Sequence, residues 1–157
     1  MAILKDSDVF IKNSIDELGI RKFTEICLKH NKKLTITNII LRELSPGPGV
    51  ADKGHDVYLQ AIERHKVVQK MIQSDEIDCI DINKNDQILD NYNNIRRRYY
   101  SWTTSSRMLN RLVEQGAIDK RRVDSGAIMY DGVGECSLVA VAMTDKPKYM
   151  IVSNYIN

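Results

Sequence analysis

A chain of 157 residues with 43% hydrophobic and 28% charged side chains holds enough apolar material for one packed domain, which excludes a disordered protein and leaves two full domains cramped. The 23 basic and 21 acidic side chains give a formal charge of only +2, which excludes a uniformly polycationic binder and makes any attraction to polyanions local. The longest purely apolar run, residues 138–143, is far shorter than the roughly 20 residues of a membrane span. With no signal-like start and three scattered cysteines, the expectation is a cytoplasmic chain with reduced thiols and no membrane partner.

In chain order, residues 2–5 predict a short strand that runs into Asp6-Ser7-Asp8. Over residues 15–29, Leu18, Phe23, Ile26 and Cys27 recur at roughly helical spacing, with Gly19 as a break between a short helix and a longer one. Residues 34–36 read as extended, and Thr37 caps a helix carrying Ile39, Ile40, Leu41, Glu43 and Leu44. The breaker cluster Ser45-Pro46-Gly47-Pro48-Gly49 marks a loop. Asp56 then caps a helix to Gln73 with Leu59, Ile62, Val68, Met71 and Ile72 inward, and residues 77–82 alternate as a strand. Ile88, Tyr92, Ile95 and Tyr99 share one side of a further helix, with Arg97 opposite and Arg96 and Arg98 beside it. Ser105 or Ser106 caps the next, with Met108, Leu109, Leu112 and Val113 inward, Arg107 and Arg111 outward and Gly116 as its stop. Residues 134–143 predict a buried helix and residues 149–153 a strand of the type found inside parallel sheets. This alternation predicts one α/β domain spanning residues 1–157.

Parallel sheets bind ligands beyond the carboxyl ends of their strands. Asp6 stands at that end of the first strand, Glu135 in the first turn of the helix feeding the last strand, and Glu43 on a helix that can be brought beside them. Carboxylates so gathered repel one another unless a hard divalent cation neutralises them.

The run Ala2-Ile3-Leu4-Lys5-Asp6-Ser7-Asp8 resembles the opening strand of PIN domains, and Thr35-Ile36-Thr37-Asn38 leading to Glu43 is similar to that family's second signature. Gly134-Glu135 with Ala140 and Ala142 resembles the Gly-Glu variant of the third signature, and the run from Tyr149 to Asn154 resembles the fourth strand. The resemblance, in family order and over nearly the whole chain, implies a three-layer α-β-α fold with a mainly parallel central sheet. It also implies a ribonuclease dependent on Mg2+ or Mn2+, with Asp6, Glu43 and Glu135 as metal-site and catalytic acids and Asp8 in support. Many such proteins are toxins paired with a protein antitoxin, and a homodimer is compatible with the family. The sequence departs from the pattern at the fourth acidic position, where Ser153-Asn154 is followed by Tyr155, leaving Asn154 and Asp131 as supporting polar groups. That departure opens a second reading, a PIN-like binding scaffold without catalysis.

Between Ile95 and Arg122, eight basic side chains face two acidic ones, a local surplus of six that leaves a net −4 on the rest. Arg96, Arg97, Arg98, Arg107 and Arg111 lie there with Tyr99, Tyr100 and Trp102 between them, a pairing of guanidinium and aromatic groups suited to RNA. The stretch from Thr103 to Ile118 with the basic run after it also resembles the recognition helix and wing of winged-helix DNA-binding proteins, a rival that leaves Asp6 and Glu135 without a task. Gly49 to Gly54 lacks the Lys and Ser/Thr of a phosphate loop, and His30, His55 and His65 lack zinc-ligand spacing.

Overall fold

Strand β2 (Leu34–Thr37) is buried at every position, and since successive side chains point to opposite faces, both sides of the sheet are covered. The computed structural model describes residues 2–5, 17–46, 54–144 and 149–152. In it β2 lies between β1 (Ala2–Lys5) and β3 (Ile77–Ile80), and β1 also pairs with β4 (Tyr149–Val152), all in parallel. The order β3-β2-β1-β4 means that the chain steps outward from β1 and then returns to its other side, which puts the topological switch point between β1 and β4.

The crossovers are helical. α1 (Glu17–Lys29) joins β1 to β2, and α2 (Asn38–Glu43) and α3 (His55–Gln73) lie between β2 and β3. The return to β4 runs through α4 (Asp86–Tyr100), α5 (Ser106–Glu114), α6 (Lys120–Asp124) and α7 (Val133–Thr144). α1 and α3 pack together and on β2 and β3, while α7 packs on β2 and β4 with α2 and α4 against it. This is an α/β fold with a parallel sheet, compatible with three α-β-α layers. Leu4, Ile20, Leu34, Ile36, Ile40, Met71, Ile77, Ile82 and Leu138 form its fully buried centre. The stretch Ala127–Thr144 is apolar enough over 18 residues to resemble a membrane span, but Gly134, Cys136, Ser137, Leu138, Ala140 and Val141 of α7 are packed inside the fold.

Several sequence expectations hold. Thr37 caps α2, accepting from the Ile40 N–H at 3.2 Å. Ser105 caps α5, and Gly116, at φ +68°, follows its last turn and donates to the Val113 carbonyl. Cys27, Cys79 and Cys136 are free thiols, the first and last buried.

Others are corrected. Gly19 lies inside α1, which runs without interruption through it from Glu17, and the short helix expected before it falls outside the described residues. The residue before α3 is Gly54, at φ +117°, and Asp56 lies inside the first turn as a charge favourable to the helix dipole. Leu59 is exposed because α3 meets the core only from Ala61 onward. The third strand ends at Ile80, and the Asp81 side chain turns the chain into a 3-10 turn by accepting from the Asn83 N–H. Tyr99 shares the spacing of Ile88 yet is 60% exposed, and Met108 is exposed as well. β4 is an edge strand among the described residues, and its Ile151 is exposed.

Two threonines on the α7-facing side of β2 differ in one respect. The Thr37 hydroxyl meets Ser137 Oγ at 2.7 Å, and Ser137 in turn donates to the Gly134 carbonyl at 2.6 Å, which fixes the start of α7 against the end of β2. Thr35 is equally buried, but its hydroxyl has no hydrogen-bond partner among the described residues. The isosteric change to valine therefore has opposite signs at the two sites. Thr37→Val is expected to lower unfolding free energy by about 1–3 kcal/mol and Thr35→Val to raise it by about 1 kcal/mol, both measured by urea denaturation; a stabilised Thr37→Val would refute the assignment.

Candidate functional site

The end of β2 determines where the acids fall. Thr37 terminates the strand and starts α2, and the six-residue helix carries Glu43 to the beginning of α7. There the Gly134 N–H donates to Glu43 Oε1 at 3.1 Å. A helix N-terminus presents unpaired N–H groups and partial positive charge, so a carboxylate is held at such a place by both hydrogen bonding and field. Glu135 follows in the same first turn. Glu43 and Glu135, distant in sequence, are thus brought to one end of α7.

Gly134 makes this approach possible. A Cβ built there would lie 2.6 and 2.8 Å from the two carboxylate oxygens of Glu43 and 2.8 Å from Ile40 Cδ1. The residue before Glu135 has to be glycine for Glu43 to remain where it is.

α4 and α7 run antiparallel. Asn91 Nδ2 donates to Thr144 Oγ1 at 2.9 Å at one end, and at the other the ring of Tyr100 lies on Gly132, leaving no room for a side chain. Between the C-terminal part of α4 and the start of α7 is an open groove of about 440 Å³ lined by Ile95, Tyr99, Tyr100, Glu135, Cys136 and Val139. Burial pushes the Cys136 thiol up, with the nearby Arg96 charge opposing, so at neutral pH Cys136 is a neutral thiol and not an activated nucleophile. The Tyr92 phenol is pushed up by burial too, and the charges of Arg96, Glu43 and Arg42 all act on it.

The basic side chains divide into two groups. Arg96 donates to the carbonyls of Asp131 and Met129 and stacks on the Tyr100 ring at 4.8 Å, so it holds the turn that leads into α7. Arg122 pairs with the Asp131 carboxylate, which gives Asp131 a neutralising role beside that turn. Arg97, Arg107 and Arg111 are exposed on α4 and α5, and Arg98 lies over the Tyr99 ring at 5.4 Å. Trp102 is half-buried in the 3-10 turn between those helices. Lys120–Asp124 is a helical turn, so these residues do not form the hairpin that a wing requires.

Asp6, Asp8, Asn154 and Tyr155 lie outside the described residues. Asp6 is the next residue in the chain after β1. Among the described residues no group of three or more His, Cys, Asp or Glu side chains is arranged to hold a metal ion, and Glu43 and Glu135 are the two predicted acids placed at one locus. The groove itself was not legible in the sequence. Its inner side depends on Val139 and Cys136, which read there as core, and the signal for its end was Gly132, a second glycine two residues before Gly134.

In an ordinary helix a glycine-to-alanine change is favourable by about 1 kcal/mol. At Gly134 the added Cβ has to push aside the exposed Glu43 carboxylate and the end of Ile40, so Gly134→Ala is expected to forfeit that gain and to cost about 1 kcal/mol instead. Glu43→Ala in the same chain is expected to restore part of that loss, as measured by thermal melts of the two single variants and the double variant.

No family model, no curated protein and no solved structure matches this chain.

Proposed function

We propose that this chain is a PIN-like ribonuclease that hydrolyses RNA phosphodiester bonds with Mg2+ or Mn2+ held by Asp6, Glu43 and Glu135. The observation that carries the reading is the seating of Glu43 against Gly134 N–H, one residue before Glu135, at the end of α7 that is bonded to the C-terminal end of β2. The parallel strand order supports it, because the switch point beside β1 is where such sheets bind ligands and Asp6 follows β1 directly in sequence.

The donor chemistry fits a hard cation: all three groups are carboxylates. A divalent ion bound by them supplies an activated water and neutralises charge on the phosphate. The protein's part is to hold Glu43 with one oxygen committed to the Gly134 N–H, which fixes the carboxylate's orientation before any substrate arrives. The exposed arginines of α4, whose C-terminal end lies at the start of α7, and of the following α5 supply the charge that attracts a phosphate backbone. Tyr155 after Asn154, in place of the family's fourth acid, supports the alternative of a non-cleaving scaffold, and the two readings differ in a single measurement.

Single-stranded RNA incubated with the native chain and Mn2+ is expected to be cut, with Asp6→Asn and Glu135→Gln each slowing cleavage by about a hundredfold or more. Circular dichroism serves to verify that the variants remain folded. Equal rates for the native chain and Asp6→Asn would overturn the nuclease reading, and no cleavage by a folded native chain would favour the scaffold.

A further inference from the structure

The groove beside Glu135 pairs an apolar lining with an aromatic ring that the fold leaves open. Ile95 and Val139 contribute to its lining, and Val139 is 39% exposed although it belongs to the core helix α7. The two tyrosines are not equivalent. Tyr100 has one neighbour on its ring in Gly132 and another in Arg96, so its faces are already used. Tyr99, at 60% exposure, has its ring accessible, with the Arg98 guanidinium stacked near it. A large aromatic side chain left open next to a cation, at the mouth of an apolar groove, is the pattern of a stacking platform for a flat, polar-edged ring attached to an anionic backbone.

Charge selects the occupant. Arg97, Arg107, Arg111, Lys120 and Arg121 are exposed on α4, α5 and α6 without an acidic partner among the described residues, and the turn between these helices and α7 is fastened to this end of α4 by Arg96. An apolar peptide needs no such surplus of cations, whereas a nucleic-acid strand neutralises it. Duplexes keep their bases stacked on one another, so only an unpaired base can enter.

We propose that the groove seats an unpaired base of single-stranded RNA, stacked on Tyr99, with Arg98 and the cations of α5 contacting the flanking phosphates. The choice of RNA rests on the nucleolytic reading above; the base seat itself rests on the groove, the open ring and the unpaired cations. A base placed there holds the adjoining backbone next to Glu135, so the seat selects which strand reaches the acids and in which register.

Fluorescence anisotropy with a labelled oligoadenylate in EDTA tests this without any cleavage. Tyr99→Ala is expected to weaken binding about tenfold, the size of one lost base–aromatic stack. Tyr99→Phe is expected to bind as the native chain does, and an abasic oligonucleotide is expected to bind the native chain more weakly than oligoadenylate. Equal affinity of the native chain and Tyr99→Ala, equal affinity for the abasic strand, or tighter binding of a duplex would overturn the base seat. So would a Tyr99→Ala variant altered only in oligomeric state, which would make the groove a contact between two copies of this chain. The two readings fail separately. Tyr99-dependent binding without Mn2+-dependent cleavage removes the nuclease and keeps the seat, and cleavage with unchanged KM in Tyr99→Ala removes the seat and keeps the nuclease.

Discussion

The contact on which the functional end of this fold depends is that of the Glu43 carboxylate with the backbone N–H of Gly134. It joins an acid on the short helix after β2 to the start of a helix 91 positions later. A buried hydroxyl relay from Thr37 through Ser137 to the Gly134 carbonyl ties the same turn of α7 to the end of β2. Together with the packing of α7 on β2, β4 and α4, these contacts fix where the helix begins and with it the placing of Glu135. The arrangement works because one residue of the turn has no side chain, so the charge can approach the helix end closely enough for its dipole to act.

Charge is sorted along the molecule in a way that the small net value conceals. The acids Glu43 and Glu135 gather where α7 begins, and the surplus of arginines lies in the segment leading to it. Arg96 and Arg122 stand between the two regions, and both contribute to structure. One binds the carbonyls of the turn and the other neutralises Asp131, so the turn before α7 is held by cations from two different helices. The remaining basic side chains face solvent, and their mutual repulsion is tolerable because exposed charges of this kind are screened.

Much of the architecture could be read from the residues because local chemistry agreed with the fold. Thr37 and Ser105 are good caps, Gly116 suits a left-handed helix end, and the small and apolar residues of α7 let most of its length pack inside the fold, though Val139 and Met143 remain exposed. The errors occurred where tertiary context overrode periodicity. Tyr99 continues the inward stripe of α4 by spacing, but there α4 and α7 part to form the open groove that it lines, and its ring stays 60% exposed. Leu59 repeats the pattern of α3 at a point where that helix has not yet reached the sheet. At the site, the grouping of Glu43 with Glu135 was legible from a motif; the reason for Gly134 was not, since only the position of a remote carboxylate shows why a side chain is excluded there.

Tyr100 and Gly132 behave as one unit. The ring occupies the space that any larger residue at position 132 would need, and that glycine also holds a left-handed backbone at φ +66°. A side chain at position 132 displaces the Tyr100 phenol, and with it the ring on which Arg96 stacks, so a change at this one glycine travels through the aromatic to the cation that fastens the turn before α7.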